Sequence, residues 1–360
     1  MKRIRIDASK SYTVCIGSGN AAELGRELKA VAEHARVMTV SDDNVYALYG
    51  EKVRRELEAA GFKTSEFVFP HGEAHKNLET YGELLERLCR DNFSRSDLIL
   101  ALGGGVTGDL AGFAAGTYQR GIRFVQVPTT LLAAVDASVG GKTAVDLKGG
   151  KNQVGVFCQP SLVLCDTEML STLPESEFRA GMAEVIKYGA IGDSGLFKLL
   201  EAAGPGALRD NEDKALLEDI IACCVEQKKQ FVQQDEFDTG ARMLLNFGHT
   251  FGHGIEGASG FTVPHGFAVA AGMCIVSRAA EKRGLCGAQT RRRLEKLVKK
   301  YGLPTETGFK AEELMPYIAG DKKVKGCQVK LVVTTRIGHA ELVPVNVADL
   351  TGWLLDGGVK

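Results

Sequence analysis

Proline is scarce in this sequence, and neither sign of charge is in excess. Its 360 residues include only 9 prolines against 43 glycines, and 44 lysines and arginines against 45 aspartates and glutamates leave a formal net charge of −1. Such a composition suits helices and strands joined by tight glycine turns and argues against disorder. A nearly neutral chain has no basic excess to attract nucleic acid or an anionic membrane, so we expect neither as a partner.

The sequence also lacks C-x-x-C pairs and long uninterrupted apolar runs. Its nine cysteines are scattered, and an odd, unpaired set is typical of reduced thiols in a reducing compartment. Residues 1–17 alternate charged and apolar side chains, unlike a signal peptide, and the apolar stretch 98–116 is broken by Asp109 and several glycines. Neither segment has the pattern of a leader or a membrane span, so we expect a cytoplasmic protein.

Strand and helix patterns alternate along the first half of the chain. The β-type runs lie at residues 35–41, 63–69, 97–102 and 122–127. This rhythm predicts a parallel sheet with helices on both faces. Farther along, helical periodicity dominates and is interrupted by a β pair near 328–335 and 340–343. We therefore predict an α/β protein with a parallel-sheet domain over residues 1–172 and a mainly helical domain over residues 173–360.

A glycine-rich loop, G-G-G-V-T-G at residues 103–108, follows the apolar run 98–102 and enters a helical pattern. Glycines there let the backbone approach a pyrophosphate, so the loop predicts dinucleotide binding by the first domain, with a plain tight turn as the alternative. The loop follows several β-α units, which differs from the ordinary dinucleotide fold. Asp109 would oppose a phosphate and is expected toward the nicotinamide or substrate. Asp42, with Asn44 nearby, is the better candidate for a ribose hydroxyl, and helix capping is its alternative role.

Three of the seven histidines fall close together, at His249, His253 and His265. His249 and His253 are four residues apart and would share one helix face. Imidazoles that converge in this way, completed by a carboxylate and one open position, suit a borderline divalent metal. Spacing alone favours His249 and His253 as the ligand pair. The alternative is that these histidines cap helices or form hydrogen bonds in the core.

Two lysines lie in glycine-rich turns, Lys142 in G-G-K-T and Lys151 in G-G-K-N. The first turn resembles the end of a phosphate loop but lacks its upstream glycine, so a small phosphorylated or carboxylated substrate is favoured over a nucleoside triphosphate. Glu184 and Lys187 lie three residues apart in A-E-V-I-K-Y, and two charges amid apolar residues must be paired or functional. Other cations that could join such a pocket are Arg120, Lys228 and Arg242, each of which singly also fits a solvated surface charge.

Taken together, these segments resemble the 3-dehydroquinate synthases of the sugar-phosphate cyclase superfamily. The resemblance runs in unbroken order from about Val37 to Lys323. It is carried by P-H-G-E-A-H-K, L-G-G-G-V-T-G-D-L-A-G-F, P-T-T-L-L-A, V-D-A-S-V-G-G-K-T, G-K-N, A-E-V-I-K-Y, L-N-F-G-H-T-F-G-H-G-I-E, H-G-x-A-V and D-K-K. Several of these motifs are long and rare, so the match is specific.

The resemblance implies a carbon–oxygen lyase of the shikimate pathway that uses NAD and a divalent metal, zinc or cobalt. The family's substrate is DAHP, a seven-carbon phosphorylated keto-acid sugar. The family oxidises a ring hydroxyl with NAD, eliminates phosphate, returns the hydride, opens the ring and closes a carbocycle by aldol addition. NAD is regenerated in each turnover. A homodimer is also implied.

The resemblance further assigns roles to individual residues. Glu184, His249 and His265 match the metal ligands, and His253 matches a general acid/base. This replaces the pairing that spacing favoured, because Glu184 completes a set of two histidines and one carboxylate. The substrate pocket is matched by Lys142, Asn152, Lys187, Lys228, Arg242, Asn246 and His253, and the phosphate contact made across a dimer interface is matched by Arg120. Together with Asp42 and Asn44, which follow from their place after a strand, the cofactor-binding candidates are Glu73, Lys76, Gly104, Gly105, Val106, Asp109, Thr129, Thr130, Asp136, Lys142, Lys151, Met169, Leu170, Ser171 and Thr172.

Three positions depart from the usual family pattern. His71 precedes Gly-Glu where the family usually has Asp, and Asp146 stands where it often has Asn. Phe267 stands where Glu usually follows His-Gly. None of the three matches a ligand or a catalytic residue. Phe267 does remove a possible hydrogen-bonding partner for the helix that carries a metal ligand.

Three other readings fit parts of the pattern. Another cyclase, such as one similar to 2-deoxy-scyllo-inosose synthase, would act on a different sugar phosphate. A metal-dependent polyol dehydrogenase would release NADH and would not need the lysines of a phosphate pocket or Arg120. A catalytically inactive NAD-sensing protein should have lost at least one of Glu184, His249, His265, Lys142 and His253, all of which are present.

Overall fold

The structure is a computed structural model that describes residues 1–209, 213–319 and 328–360. The strands are β1 Lys2–Ile6, β2 Tyr12–Gly17, β3 Arg36–Asp42, β4 Lys63–Phe69, β5 Leu98–Gly103, β6 Arg123–Pro128, β7 Lys142–Leu147, β8 Gly150–Phe157, β9 Leu162–Asp166, β10 Gln328–Arg336 and β11 His339–Asn346. The helices are α1 Leu24–Ala32, α2 Asp43–Val45, α3 Glu51–Ala59, α4 Leu78–Arg90, α5 Gly105–Thr117, α6 Glu175–Ile191, α7 Ser194–Ala202, α8 Pro205–Arg209, α9 Lys214–Gln234, α10 His249–Ala258, α11 His265–Lys282, α12 Ala288–Lys300, α13 Ala311–Ala319 and α14 Leu350–Asp356.

The chain divides into two compact units. The first unit comprises Met1–Leu173 and Asp213–Phe237, and the second comprises Pro174–Glu212 and Asp238–Lys360. The first segment ends next to the boundary at residue 172 that the sequence analysis set. The first unit also includes α9, however, which that analysis assigned to the second domain. Helical periodicity shows that α9 has an apolar face, but it does not show which domain that face packs against.

A seven-stranded sheet organises the first unit, in the order β1-β2-β9-β6-β5-β3-β4. The strand β1 pairs antiparallel with β2, and the other neighbours are parallel. The chain moves one way across the sheet from β3 to β4, and the opposite way from β5 through β6 to β9. The carboxyl ends of β3 and β5 therefore lie side by side where the strand order reverses, which is where open parallel sheets bind ligands.

Both faces of this sheet are covered, as the β-α rhythm predicts. Leu98, Leu100 and Leu102 of β5 pack into one core cluster with α1 and α3. Ile99 and Ala101 point to the other face and pack with α4 and α5. Alternate side chains of one strand are thus buried on opposite faces, which explains why the run is continuously apolar.

The second unit is mainly helical and adds the β10–β11 hairpin, near the predicted β pair. Helix α6 is buried along almost its whole length from Phe178 to Ile191. Gly266 lets the start of α11 lie against α6, because a Cβ at Gly266 would overlap the carbonyl oxygen of Ala180. The mixed architecture predicted for the chain, a parallel-sheet part followed by a mainly helical part, is confirmed. Among the described residues, no helix combines the length and hydropathy that crossing a bilayer requires.

Candidate functional site

Glu184, His249 and His265 come together in the second unit, on α6, α10 and α11. Their nearest ligand atoms all lie within 4.8 Å of one another. The Nε2 atom of His265 lies 3.5 Å from Oε1 of Glu184, and Nε2 of His249 lies 3.7 Å from the same oxygen. The sequence predicted this group of two imidazoles and one carboxylate only through the family resemblance, since spacing favoured His253 in place of His265.

The donor set fits a borderline divalent cation. The side chain of Glu184 is only 2% exposed, and neither of its oxygens has a hydrogen bond of ordinary geometry within the described part of the chain. The ammonium of Lys187, one turn along α6, forms an ion pair with Oε2. Buried carboxylate oxygens without hydrogen bonds, facing two imidazole nitrogens, are typical of a metal site with one carboxylate and two histidines.

The negative charge of this cluster acts on the pKa of His265. Burial lowers the pKa of His265, but the adjacent carboxylates of Glu184 and Glu256 outweigh it and raise the pKa to about 10. Without a cation, the two carboxylates therefore favour the protonated form of His265. A bound divalent cation would take the place of that proton, because a metal ligand must be a deprotonated imidazole nitrogen.

His253 lies beside the other two histidines but belongs to a second group. Its ring centroid is 5.6 Å from that of His249 and 6.2 Å from that of His265. Ligand atoms of His253, Glu256 and His265 also lie within 4.8 Å of one another. Neither the spacing of the motifs nor the family resemblance gave Glu256 a role. The signal was present, because H-x-x-E places His253 and Glu256 on one face of a helix.

Three further predicted substrate residues lie in the second unit. Arg242 and Asn246 lie on the 3₁₀ turn Ala241–Asn246, shortly before α10. Arg242 is 2% exposed and Lys187 is 1% exposed, whereas Asn246 is half-buried. Buried cations of this kind are rare unless they are paired or functional.

The glycine loop of the first unit lies at the point where the strand order reverses. Gly104 is the N-cap of α5, and Gly105 and Val106 form its first turn. A Cβ at Gly104 would lie 2.9 Å from Cγ2 of Thr130, so the loop and the end of β6 approach closely. Thr129 is buried there, and its hydroxyl oxygen has no hydrogen-bond partner among the residues described. An unsatisfied buried hydroxyl beside a glycine loop fits a bound dinucleotide.

Asp42 has the helix-capping contact that the sequence analysis named as its alternative role. Its Oδ1 accepts a hydrogen bond of 3.0 Å from the backbone of Val45, and its Oδ2 accepts one of 3.4 Å from the hydroxyl of Thr107. Thr107 lies in α5, so the ends of β3 and β5 are in contact at this point. Asn44 is exposed on the next turn.

Lys76 is at the centre of a buried charge cluster in the first unit. Its ammonium donates to Oδ1 of Asn152 at 2.7 Å and to Oδ2 of Asp109 at 3.3 Å. It also lies 2.9 Å from Oε1 of Glu73 and 3.5 Å from Oδ1 of Asp146. Three carboxylates therefore share this cation, and the resemblance identified two of them, Glu73 and Asp109, as cofactor residues.

Burial and charge act in opposite directions on these carboxyl groups. Burial raises the pKa of Asp109 to about 6, with Glu73 and Asp146 adding to the rise and Lys76 opposing it. Burial also raises the pKa of Asp146. The pKa of Glu73 is lowered, because Lys76 and Lys151 together outweigh its burial. Asp109 thus takes up a proton nearer to neutral pH than an ordinary aspartate does.

The β7–β8 hairpin carries three predicted residues. Lys142 is its first residue and is exposed. Lys151 is half-buried, with its Nζ 3.5 Å from Oε1 of Glu73. Asn152 is held in the left-handed region at φ 54°, and its backbone N–H donates to Oδ1 of Asp146 at 2.7 Å. Asp146, one of the family departures, therefore orients the turn that brings Asn152 to Lys76.

Other predicted residues belong to none of these groups. Arg120 is exposed and makes no hydrogen bond or ion pair within residues 1–209, 213–319 and 328–360. Met169 and Leu170 are buried in the 3₁₀ helix Thr167–Thr172, while Ser171 and Thr172 are exposed. Lys322 and Lys323 of the D-K-K motif lie outside the described residues.

Two of the departures are at least partly accessible to solvent. The ring of His71 is exposed and bonds to Oδ1 of Asp43 at 2.8 Å. Phe267 is half-buried in the first turn of α11. The two candidate centres of the chain are thus a metal group in the second unit and a dinucleotide-type group in the first unit.

Known proteins match the chain along almost its whole length. Residues 66–180 match the family description "3-dehydroquinate synthase N-terminal", and residues 181–324 match "3-dehydroquinate synthase C-terminal". A 3-dehydroquinate synthase of Streptococcus suis (strain 05ZYH33) is 43% identical over 348 residues, which cover 95% of this chain and 96% of the relative.

Solved structures agree with this relationship. A 2-deoxy-scyllo-inosose synthase, complexed with carbaglucose-6-phosphate, NAD+ and Co2+, superposes with a TM-score of 0.88 at 25% identity and covers 100% of both chains. The 2-epi-5-epi-valiolone synthase of Streptomyces hygroscopicus subsp. jinggangensis 5008, with NAD+ and Zn2+ bound, gives a TM-score of 0.89 at 27% identity and covers 99% of both chains. With both family descriptions matched and 43% identity to a curated member, the chain belongs to the 3-dehydroquinate synthase family.

Proposed function

We propose that this protein is a 3-dehydroquinate synthase, which converts DAHP to 3-dehydroquinate and phosphate. The observation that carries the proposal is the group of Glu184, His249 and His265, with the Lys187 ammonium beside the carboxylate. An inactive relative would have no reason to keep this buried, charged set, because burying charges without a function is costly. The alternative of another cyclase or a polyol dehydrogenase is not favoured, since the curated relatives at 42–44% identity carry the synthase name.

Each unit would hold one of the two groups that the reaction needs, a divalent metal or NAD. Glu184, His249 and His265 would hold zinc or cobalt, while the loop at Gly104, the carboxylate of Asp42 and the segment from Met169 to Thr172 would hold NAD. When bound, NAD supplies a reversible hydride acceptor and the metal supplies a Lewis acid for the hydroxyl that is oxidised. The cofactor residues are completed by Asn44, Glu73, Lys76, Gly105, Val106, Asp109, Thr129, Thr130, Asp136, Lys142 and Lys151.

The remaining residues bind and orient the substrate. In the second unit, Lys187, Arg242 and Asn246 contact its polar groups, and the imidazole of His253 accepts or donates a proton. In the first unit, Lys142, Asn152 and Lys228 are the substrate contacts. Phosphate loss requires positive charge at the leaving group and a fixed conformation, and buried cations provide both without reorganisation during the reaction.

The proposal includes a homodimer in which Arg120 reaches the phosphate in the partner's site. Gln119 and Arg120 are consecutive non-glycine residues in the left-handed region, at φ 53° and 65°. Each such residue costs on the order of 1–3 kcal/mol and persists where a function requires it. An exposed arginine held on a strained turn, without a partner among the described residues of its own chain, fits a contact made across subunits. The proposal places this enzyme in the cytoplasm.

A coupled assay tests the function. The protein is mixed with DAHP, NAD and zinc, and both free phosphate and NADH absorbance are followed. We expect phosphate release with no accumulation of NADH, and no release from Glu184→Gln. Steady NADH accumulation would show a dehydrogenase. Turnover of glucose 6-phosphate or of a sedoheptulose phosphate in place of DAHP would show another cyclase.

A further inference from the structure

The carboxylate of Glu256 contacts Nδ1 of His265, the ring nitrogen that does not face Glu184. Glu256 lies on α10 and is 2% exposed. Its Oε2 lies 3.3 Å from Nδ1 of His265, while Nε2 of the same imidazole faces Glu184 at 3.5 Å. The two nitrogens of one ring are therefore each directed at a different carboxylate.

The ring of His249 is also oriented through its Nδ1, but the acceptor there is uncharged. Its Nδ1 lies 3.1 Å from the backbone carbonyl oxygen of Phe247, and its Nε2 faces Glu184. A carbonyl accepts only, so Nδ1 carries the hydrogen and Nε2 presents its lone pair. The same logic applies to His265, where the acceptor is a buried carboxylate. A hydrogen bond to an ionised acceptor is about twice as strong as a neutral one and makes the ring a more basic ligand.

The residue that departs from the family pattern beside His265 cannot take this role. Phe267, two residues after His265, has no atom that can accept a hydrogen bond. Two carboxylates contact the His265 ring, Glu184 at Nε2 and Glu256 at Nδ1. Glu184 faces Nε2, which leaves Glu256 as the group that orients the ring.

A direct ligand role for Glu256 is the competing possibility, since His253, Glu256 and His265 also satisfy the distance criterion for a metal group. In that arrangement the metal would have to separate Oε2 of Glu256 from Nδ1 of His265, which are already at hydrogen-bonding distance. The group with Glu184 needs no such separation, because both Nε2 atoms lie too far from Oε1 for a strong hydrogen bond. One cation between Glu184 and the two Nε2 atoms therefore agrees better with the geometry.

We propose that Glu256 is a positioning residue, which accepts the Nδ1 hydrogen of His265 and thereby strengthens metal binding at Nε2. The inference depends on the metal site of the proposed function. It concerns affinity for the metal, so it can be tested without substrate.

The test is a titration of the metal-free protein with Co2+, followed by its visible absorbance and by competition with a chelator. We expect one Co2+ per chain in all folded variants. Glu256→Gln keeps an acceptor oxygen but loses the charge, and we expect about 10-fold weaker binding; Glu256→Ala loses both, and we expect up to about 100-fold weaker binding. Glu295→Gln is the matched control, since Glu295 is a partly buried carboxylate on α12 that pairs with Arg278 and Arg291.

The outcomes separate this inference from the proposed function. If the unaltered protein takes up no Co2+, the metal site itself is wrong. If it binds Co2+ and Glu256→Gln binds equally tightly, the positioning role is wrong. Complete loss of stoichiometric binding in Glu256→Gln, with an unchanged circular dichroism spectrum, would also overturn it in favour of a direct ligand. If Glu256→Ala does not fold, the Co2+ affinity of the isosteric variant Glu256→Gln alone tests the positioning role.

Discussion

The ammonium of Lys228 donates a hydrogen bond of 2.6 Å to the backbone carbonyl of Asp136 and forms an ion pair with its carboxylate. Lys228 lies on α9, and Asp136 lies in the turn Ala133–Ala137 after β6. Their side chains are 7% and 18% exposed. Two residues that the family resemblance assigned to substrate and cofactor are thus directly paired, and the pair attaches α9 to the parallel-sheet unit.

Removing this cation should destabilise the first unit. Lys228→Met leaves Asp136 charged and largely buried, so we expect a loss of about 2–4 kcal/mol, seen as a melting temperature lower by several degrees. Lys229→Met is the control, because Lys229 forms a more exposed pair with Glu226. The double variant Lys228→Met, Asp136→Asn should recover part of the loss. If Lys228→Met has the same melting temperature as the unaltered protein, the pair of Lys228 and Asp136 does not stabilise the first unit.

The place of α9 shows what the sequence could and could not predict. Its helical periodicity was readable, but its partner was not, because an amphipathic face carries no information about which domain covers it. The buried strand β5 was predictable from its continuous apolar run, and the glycine loop from its position after that strand. The β7–β8 hairpin was read as two glycine-rich loops. Its alternation is broken by glycines at 149, 150 and 155, so the strand pattern is weak.

The metal group was only partly predictable for a related reason. Histidines four apart on one helix appear to the eye as a ligand pair, yet His249 meets His265 and Glu184, which lie on two other helices. Such convergence depends on how α6, α10 and α11 pack. The spacing of residues along one helix does not report that packing. Glu256 was missed because its role becomes visible only once the orientation of the His265 ring is known.

Loss of one metal ligand should abolish tight metal binding. We expect His265→Ala and Glu184→Gln to retain little zinc after gel filtration, since each removes one of three protein ligands. Zinc at 100 times its dissociation constant stabilises a protein by about 2.7 kcal/mol, so the unaltered protein should melt at a higher temperature with zinc than without it. The two variants should lose that increase. His339→Ala, at a half-buried position of the β10–β11 hairpin, should keep it; equal zinc content in all four proteins would exclude this metal site.

Asp109 should give a measurable pH dependence of stability. Its folded-state pKa of about 6 is above the ordinary value for aspartate, so the folded protein holds the proton more tightly than the unfolded chain. The stability that Asp109 contributes is therefore complete below about pH 4 and is lost as the pH rises through 6. Without NAD, the unaltered protein should lose about 1–2 kcal/mol relative to Asp109→Asn between pH 4 and 7, since partial exposure reduces the full effect.

Asp97, in the same unit, is a control whose pKa is shifted in the opposite direction. Burial opposes ionisation of Asp97, but hydrogen bonds from Arg36 and Ser94 outweigh it and lower its pKa. Stability from Asp97 is therefore present above its unfolded pKa and lost as the pH falls through its lower folded value. Melting temperatures of Asp97→Asn and Asp109→Asn, compared with the unaltered protein across the pH range, should diverge with opposite signs. Parallel curves would show that Asp109 is ionised in the folded protein at pH 4.

The close approach of α11 to α6 can be tested at Gly266. A Cβ there would overlap the carbonyl oxygen of Ala180 on α6, so Gly266→Ala must displace the start of α11, where His265 lies. We expect a destabilisation of about 1–3 kcal/mol together with weaker Co2+ binding. Gly82→Ala is the matched control, because Gly82 lies inside α4 with no atom within 4 Å of its added Cβ. That change should stabilise by about 0.5–1 kcal/mol, since alanine favours a helix over glycine. The helix-propensity gain is available at both sites, so an equal rise in melting temperature for Gly266→Ala would mean that the two helices are not in contact as described.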